Sequence, residues 1–364
     1  MVSGRAPGAA VVLVSMGAGG AAVSPDDGPV CVAAQPTSSR FRQVTCNIRT
    51  GLNIIILMET LYITHPACRL HEMGNWHPEC PDRLSAINDR LVASGLMDFI
   101  HEQTATPATD ADVLRVHPAA YIAYLREHAP TEGYFSIDPD TLMNPHTLEA
   151  AWAAAGAGIS AVDAVMRQSY RTAFCAVRPP GHHARPSQAM GFCFLNNIAI
   201  AVAYALEHYG LDRVAIIDFD VHHGNGTEES FAGDQRVLMC SFFQHHLFPD
   251  QYQSPPAENM VNIPVEPYSK GDDLRQLVSD VWMPRLREFA PQLLFISAGF
   301  DAHREDEMGQ LGMVEADYAW ITGQLVALGD ETANGRIISF LEGGYSLSAL
   351  GRSTEAHIRA LAKL

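Results

Sequence analysis

Two acidic residues and one histidine have the side-chain types and the spacing of a metal site. Asp220 and His222 are separated by one residue, and in an extended chain that spacing places both side chains on the same side. Asp301 follows a different apolar run and supplies a third ligand. Three protein ligands leave one position open for water, as in catalytic zinc sites, although ferrous iron would also fit this ligand set. We predict a catalytic metal centre with zinc favoured; the alternative is three ordinary polar loop residues.

Three more side chains could supply the other groups of a metal-assisted hydrolysis. His182 and His183 follow a Pro-Pro-Gly sequence, which forms a stiff turn. Asp218 and Asn225 are candidates to bond the far ring nitrogens; a carboxylate would keep His182 charged, and a neutral amide would leave His183 free as general base. Tyr345 follows two glycines and could donate to an oxyanion. A buried tyrosine that caps a turn is the alternative.

These residues follow short apolar runs that are typical of parallel strands buried on both faces. The runs are Thr172–Val177, Val214–Phe219, Val237–Ser241, Leu293–Ser297 and Arg336–Leu341. Helix-like segments lie between them: Leu148–Met166, Ile198–Tyr209, Asp272–Phe289 and Glu315–Leu328. This alternation predicts an α/β fold, with one doubly wound, mostly parallel sheet and helices on both faces. Ligands of such sheets bind beyond the carboxyl ends of the strands, where the polar residues occur.

The composition narrows the possible partners. Among 364 residues, 24 Lys and Arg stand against 41 Asp and Glu, a formal net charge of -17. This charge argues against broad contact with nucleic acid or anionic membranes and suits a cationic substrate. The seven cysteines form no CxxC pair, which is typical of reduced, buried thiols, and we expect a cytoplasmic protein.

Residues 1–57 differ in composition from the rest of the chain. They are rich in Ala, Gly, Ser and Val and show almost no helical or strand period. An apolar stretch between Ala6 and Val23 is interrupted by Gly and Pro and makes a poor secretory signal. We therefore predict that residues 1–57 are a disordered or dispensable extension and that residues 58–364 are the catalytic domain.

Several motifs together resemble the histone deacetylase and acetylpolyamine amidohydrolase family. The motifs are His77-Pro-Glu-Cys-Pro-Asp-Arg83, Arg178-Pro-Pro-Gly-His-His-Ala184, Gly191-Phe-Cys-Phe-Leu-Asn-Asn197, Asp218-Phe-Asp-Val-His-His-Gly-Asn-Gly-Thr227, Ala298-Gly-Phe-Asp301 and Glu342-Gly-Gly-Tyr345. The resemblance extends from about Thr60 to Leu361. It implies the fold that this family shares with the arginases, with a sheet of about eight strands in a single domain.

The resemblance also implies roles for individual residues. Asp220, His222 and Asp301 would bind one zinc ion per chain, and His182, His183 and Tyr345 would be catalytic. The substrate tunnel would be lined by Gly191, Phe192, Phe248 and Met308, with Asp140 on its rim. A structural potassium ion would lie near Asp218, Asp220, His222, Ser241 and Phe242. Homo-oligomers are common in the family.

Within the family, Asn225 is similar to the class II deacetylases and their bacterial relatives, because the nuclear branch carries Asp there. Gly224 stands where the arginases have another metal-binding Asp, which disfavours a binuclear site. The implied activity is hydrolysis of acetylated lysine side chains or related amines. An acetylpolyamine deacetylase is the alternative. Polyamine-selective relatives can carry an acidic gatekeeper residue several positions after the last zinc ligand, and this alternative would be favoured if Glu307 rather than Met308 held that position. A protein that binds acylated amines without hydrolysing them is the alternative of another class.

Overall fold

The computed structural model of the chain describes residues 31–33, 43–48, 52–57, 60–249 and 256–364. Before Thr60, three strands, β1 (Cys31–Ala33), β2 (Gln43–Ile48) and β3 (Leu52–Leu57), pair antiparallel. The sequence patterns predict no strands in this segment. The rest of the predicted extension lies outside the described residues, and its dispensability stays a prediction.

Residues from Thr60 onward form a compact unit of their own, which contains an eight-stranded sheet in which every neighbouring pair is parallel. Its strands are β4 (Thr60–Thr64), β5 (His101–Thr104), β8 (Thr172–Cys175), β9 (Val214–Asp218), β10 (Val237–Gln244), β11 (Met260–Val265), β12 (Leu293–Ala298) and β13 (Ile337–Leu341). A two-stranded hairpin, β6 (Phe135–Ser136) and β7 (Leu142–Met143), lies outside the sheet. The strand order is β11-β10-β9-β12-β13-β8-β4-β5. The predicted parallel α/β sheet is therefore confirmed.

Helices connect the strands, as the sequence pattern predicts. They are α1 (Asp82–Ala93), α2 (Asp110–Val113), α3 (Ala119–Glu127), α4 (Thr147–Met166), α5 (Asn197–Tyr209), α6 (Asn225–Phe231), α7 (Gly271–Leu277), α8 (Met283–Phe289), α9 (Glu315–Thr332) and α10 (Leu347–Leu361). The predicted helix over 272–289 is divided by a π-helical turn, Val278–Trp282, between α7 and α8. Single 3₁₀ turns occupy Pro66–Arg69 and Leu96–Phe99.

The longest helix, α4, packs closely on its neighbours because its sequence is rich in Ala and Gly. A Cβ atom at Gly158 would lie 2.7 Å from the Phe340 ring of β13, so only glycine permits this approach. Among the described residues, α4 is the one helix with the length and hydropathy of a membrane span. Because 61% of that segment is buried inside the fold, its apolar composition is explained by core packing.

Strand order explains why residues far apart in sequence meet. Strands β9, β12, β13 and β8 are consecutive neighbours in the sheet. Each is followed by polar residues of the predicted site: Asp220 and His222 after β9, Asp301 after β12, Tyr345 after β13, and His182 and His183 after β8. Ser297 of β12 pairs in register with Asp218 of β9, and Ala298 of β12 with Leu341 of β13. Since the strands are parallel, the four following loops leave the sheet side by side at the same edge.

Candidate active site

The three predicted metal ligands lie together beyond β9 and β12. One ligand atom from each of Asp220, His222 and Asp301 falls within 4.8 Å of the others. His222 Nδ1 lies 3.0 Å from Asp220 Oδ1 and 3.1 Å from Asp301 Oδ2. All three side chains are buried. Two carboxylates and an imidazole, brought together on one side, can hold a metal ion.

The surroundings of this triad fit a bound cation. Gly299 and Gly343 allow the carboxylates to approach the backbone, because a Cβ atom at either position would lie 2.0 Å from a carboxylate oxygen of Asp220 or Asp301, respectively. Burial, together with the charge of Asp220, raises the pKa of Asp301 to about 7. Burying two carboxylates this close is unfavourable unless a positive charge lies between them. The ligand set and its crowding therefore match a divalent cation.

The histidine pair differs in its hydrogen-bonding partners. His182 Nδ1 lies 3.0 Å from Asp218 Oδ2, and His183 Nδ1 lies 2.9 Å from Asn225 Oδ1. Burial opposes the charged form of His182, but Asp220 and Asp218 outweigh it and raise its pKa to about 10. Burial and the neighbouring charge of His182 lower the pKa of His183 well below its usual value. At neutral pH the first imidazole is charged and the second is free to accept a proton.

Glu342 holds the turn that carries the two histidines, a role that was not predicted. Its Oε2 atom accepts hydrogen bonds from the backbone N–H groups of Gly181 and His182, at 2.7 and 3.1 Å. The Ser297 hydroxyl donates to its other oxygen. Burial raises the pKa of Glu342 to about 7. The sequence feature that could have indicated this role is the position of Glu342 directly after β13, at the edge of the sheet where the metal ligands lie.

Tyr345 lines the same pocket as His183 and lies at the end of a glycine-rich turn. Gly344 has a φ of 118°, a conformation that other residues rarely adopt. The Tyr345 ring is perpendicular to the Phe192 ring, with 5.9 Å between centroids. Burial raises the pKa of Tyr345 well above its usual value, although nearby Arg83 opposes the rise. The phenol therefore keeps its proton at neutral pH and can donate it in a hydrogen bond.

A buried ion-pair network behind Tyr345 was also not predicted as functional. Glu79 accepts from both Arg83 and Arg178, and all three side chains are fully buried. Arg83 Nε donates to the Gly344 carbonyl at 2.7 Å, and its guanidinium lies 4.9 Å from the centre of the Tyr345 ring. The sequence signal was present in the first two family-like motifs, but which charges pair depends on the fold.

One narrow pocket joins the metal triad to the protein surface. Its lining residues are Asp140, His183, Gly191, Phe192, His222, Phe248, Met308 and Tyr345. All five residues assigned to the tunnel and its rim are among them. The Phe248 ring packs edge-on against His183, with 5.0 Å between centroids. An extended, mostly apolar chain fits such a passage, with its reactive end at the histidines and the triad.

Replacing Gly191 by Ala should obstruct this pocket. Gly191 has a φ of 55°, and a Cβ atom there would lie 2.6 Å from the His183 ring and 2.8 Å from Phe248. Because displacement of a catalytic group by about 1 Å can cost ~10²-fold in rate, we expect kcat/KM to fall at least about tenfold. Gly210→Ala is the control: Gly210 has a φ of 63° with nothing within 4 Å of the added Cβ. An equal loss of kcat/KM in both variants would mean that backbone strain, not obstruction, is responsible.

The residues assigned to potassium come from two adjacent strands: the end of β9 with the loop that follows it, and the interior of β10. Ser241 of β10 pairs in register with Asp218 of β9, and its hydroxyl lies 3.1 Å from Asn262 Oδ1. The Phe242 ring stacks on Trp282. The fold thus brings Ser241 and Phe242 close to the Asp218 end of the site, and a potassium ion there stays a prediction.

Comparison with known proteins gives consistent matches over most of the chain. The family model "Histone deacetylase domain" matches residues 77–361. A probable deacetylase of Archaeoglobus fulgidus is 36% identical over 298 residues, 80% of this chain and 82% of that protein. A histone deacetylase-like amidohydrolase of Pseudomonas aeruginosa is 36% identical over 279 residues, 74% and 73% of the two chains. The crystal structure of the HDA15 HD domain matches with a TM-score of 0.78 and 31% identity, covering 84% of this chain and 90% of that one.

Proposed function

Because this chain belongs to the histone deacetylase family, we propose that it is a zinc-dependent deacetylase that hydrolyses the acetyl amide of lysine side chains or related amines and releases acetate. The observation that carries the proposal is one narrow pocket that reaches Tyr345, His183 and His222 of the metal triad. An acetylated amine on a flexible alkyl stem would pass Phe192 and Phe248 and present its carbonyl to these groups.

In this mechanism Asp220, His222 and Asp301 would hold the zinc ion. When bound, zinc polarises the acyl carbonyl and lowers the pKa of water. Tyr345, kept protonated by burial, donates a hydrogen bond to the carbonyl oxygen as negative charge develops there. Phe192 and Phe248 keep the alkyl stem in place and limit the access of other water molecules.

The two histidines carry out the proton transfers of the reaction. His183 accepts one from the attacking water while the new carbon–oxygen bond forms. A protonated imidazole of the pair then donates to the leaving nitrogen as the carbon–nitrogen bond breaks, so water and amide become acetate and amine. His182, held charged by Asp218 and Asp220, lowers the pKa of His183, so that His183 is neutral and its ring nitrogen is available to accept the proton.

Lysine side chains are the favoured substrate class, and acetylpolyamines are the second. This preference is supported by Met308, which lines the pocket, whereas the acidic side chain of Glu307 is exposed to solvent. The net charge of -17 suits either substrate if it carries further positive charge. We also propose a potassium ion near Asp218 and a homo-oligomeric state, as the family resemblance implies, and a cytoplasmic location, which suits the free cysteines.

The test is acetate release by purified protein with its zinc content quantified. An acetyl-lysine peptide and N-acetylputrescine are assayed in parallel, before and after removal of zinc with a chelator. Zinc-dependent release that is faster from the peptide supports the proposal, and faster release from N-acetylputrescine favours the polyamine alternative. Tight retention of either compound without acetate release would identify the non-catalytic binding protein instead.

A further inference from the structure

We infer that Asp306 is the residue that positions Tyr345 for the reaction, an inference that rests on the proposed function. Asp306 lies five residues after the metal ligand Asp301 and is only 6% exposed. It is not among the residues that line the pocket. Its effect on the reaction must therefore pass through other groups, which makes it a positioning residue.

The Asp306 carboxylate joins two walls of the pocket. Its Oδ2 atom accepts hydrogen bonds from the backbone N–H groups of Tyr345, at 2.6 Å, and Ser346, at 2.9 Å. Its Oδ1 atom accepts from the N–H of Met308, at 3.0 Å. The backbone of Asp306 is itself held by His303, whose carbonyl oxygen accepts from its N–H at 2.9 Å. One side chain thus connects the turn of the oxyanion donor to the wall that carries Met308.

Tyr345 needs such a restraint because the residues next to it in the chain restrict its backbone conformation little. Two glycines precede it, and glycine restricts the backbone least of all residues. Helix α10 begins just after Ser346, whose side chain makes no capping hydrogen bond. The phenol hydroxyl cannot serve as the anchor, because it must remain available to the substrate carbonyl. Asp306 and the Arg83 bond to the Gly344 carbonyl fix the backbone on either side of the ring, which itself contacts Phe192 and the Arg83 guanidinium.

The test is a double-mutant cycle of Asp306→Asn with Tyr345→Phe, assayed for kcat and KM. Asp306→Asn replaces one of the two carboxylate oxygens by an NH2 group, which cannot accept a hydrogen bond. Whichever way the amide is turned, at least one of the three N–H groups loses its acceptor. We expect kcat to fall about 10- to 100-fold with little change in KM or zinc content, since misplacing a catalytic group by about 1 Å can cost ~10²-fold. In the Tyr345→Phe background, where the hydroxyl is already absent, the same change should cost less than about threefold.

Asp317→Asn is the matched control. Asp317 is also buried, 4% exposed, and also accepts a backbone N–H, that of Val314 at 2.8 Å, but at the start of α9. Its substitution should leave kcat within about twofold, because no pocket residue depends on it. A trifluoroacetyl substrate, whose carbonyl is more electrophilic, keeps the slow Tyr345→Phe variants measurable.

Equal fold-losses of kcat from Asp306→Asn in both backgrounds would overturn the positioning role while leaving the proposed function intact. Absence of acetate release by the unmodified chain would instead remove the proposed function, and this inference with it. If Asp306→Asn does not fold, Ser346→Pro tests the same contact. It deletes one of the two N–H donors to Oδ2 at a φ of -74° that proline adopts, and the same non-additivity with Tyr345→Phe is expected.

Discussion

Replacing Tyr345 by Phe is expected to lower kcat by roughly 10²–10³, the usual cost of removing one donor to a developing oxyanion. The phenol lies on the wall of the same pocket as His183 and His222, and burial keeps it protonated at neutral pH. Phenylalanine keeps the ring contact with Phe192 and removes only the hydroxyl. The zinc content should not change, because Tyr345 is not part of the metal triad. Steady-state kinetics with metal analysis of the same samples measures both quantities.

Tyr318→Phe is the control for removing a buried phenol hydroxyl. Tyr318 is fully buried in the core beside Phe219 and Phe300, and its hydroxyl has no hydrogen-bond partner among the described residues. Its replacement should leave kcat nearly unchanged. If Tyr345→Phe has the same small effect as Tyr318→Phe, Tyr345 takes no part in stabilising the oxyanion.

Replacing Glu79 by Gln is expected to destabilise the fold by about 3–5 kcal/mol, the usual cost of breaking a buried ion pair by removing one partner. Glu79 is fully buried and is the carboxylate shared by Arg83 and Arg178. In the variant, two guanidinium groups remain buried without their counter-charge. Because Arg83 also supports the Tyr345 turn, kcat should fall as well. Urea unfolding at equal zinc content measures the change in the free energy of unfolding.

The difference in stability between the wild-type chain and Glu79→Gln should depend on pH. Burial alone would raise the pKa of Glu79, but Arg178, His71 and Arg83 outweigh it and lower the pKa well below the ordinary value of 4.5. A lowered pKa means that the ionised group stabilises the fold fully above its unfolded-state pKa and progressively less as the pH falls below it. The stability difference between the wild-type chain and Glu79→Gln should therefore be constant above about pH 5.5 and shrink below about pH 4.5.

Glu331→Gln tests whether any lost ion pair would have this effect. Glu331 lies 3.6 Å from Arg287, and both side chains are more than half exposed. An exposed pair of this kind contributes about 0–1 kcal/mol. A loss of stability in Glu79→Gln as small as in Glu331→Gln would contradict the importance assigned to the buried network.

The sequence by itself determined five strands of the sheet, β8, β9, β10, β12 and β13, and the chemistry that follows four of them. Continuous apolar runs, such as Val214–Phe219 and Leu293–Ser297, predict parallel strands because no face is left for polar residues. The one-residue spacing of Asp220 and His222 predicts a shared metal because the geometry is local. The partners of His182 and His183 could also be named in advance, since Asp218 and Asn225 lie close to the predicted metal ligands along the chain.

Only the tertiary structure decided the contacts that join distant segments. Glu79 meets Arg178 across 99 residues, and Glu342 meets the backbone of Gly181 across 161. These pairings depend on the strand order, which places β8, β13, β12 and β9 side by side although their sequence order is different. Hydrophobic periodicity indicates which face of a segment is buried but not which segment packs against it. Sequence reasoning likewise could not decide whether Glu307 or Met308 faces the pocket. The geometry of their loop, in which the Asp306 carboxylate accepts from the Met308 N–H, places Met308 there.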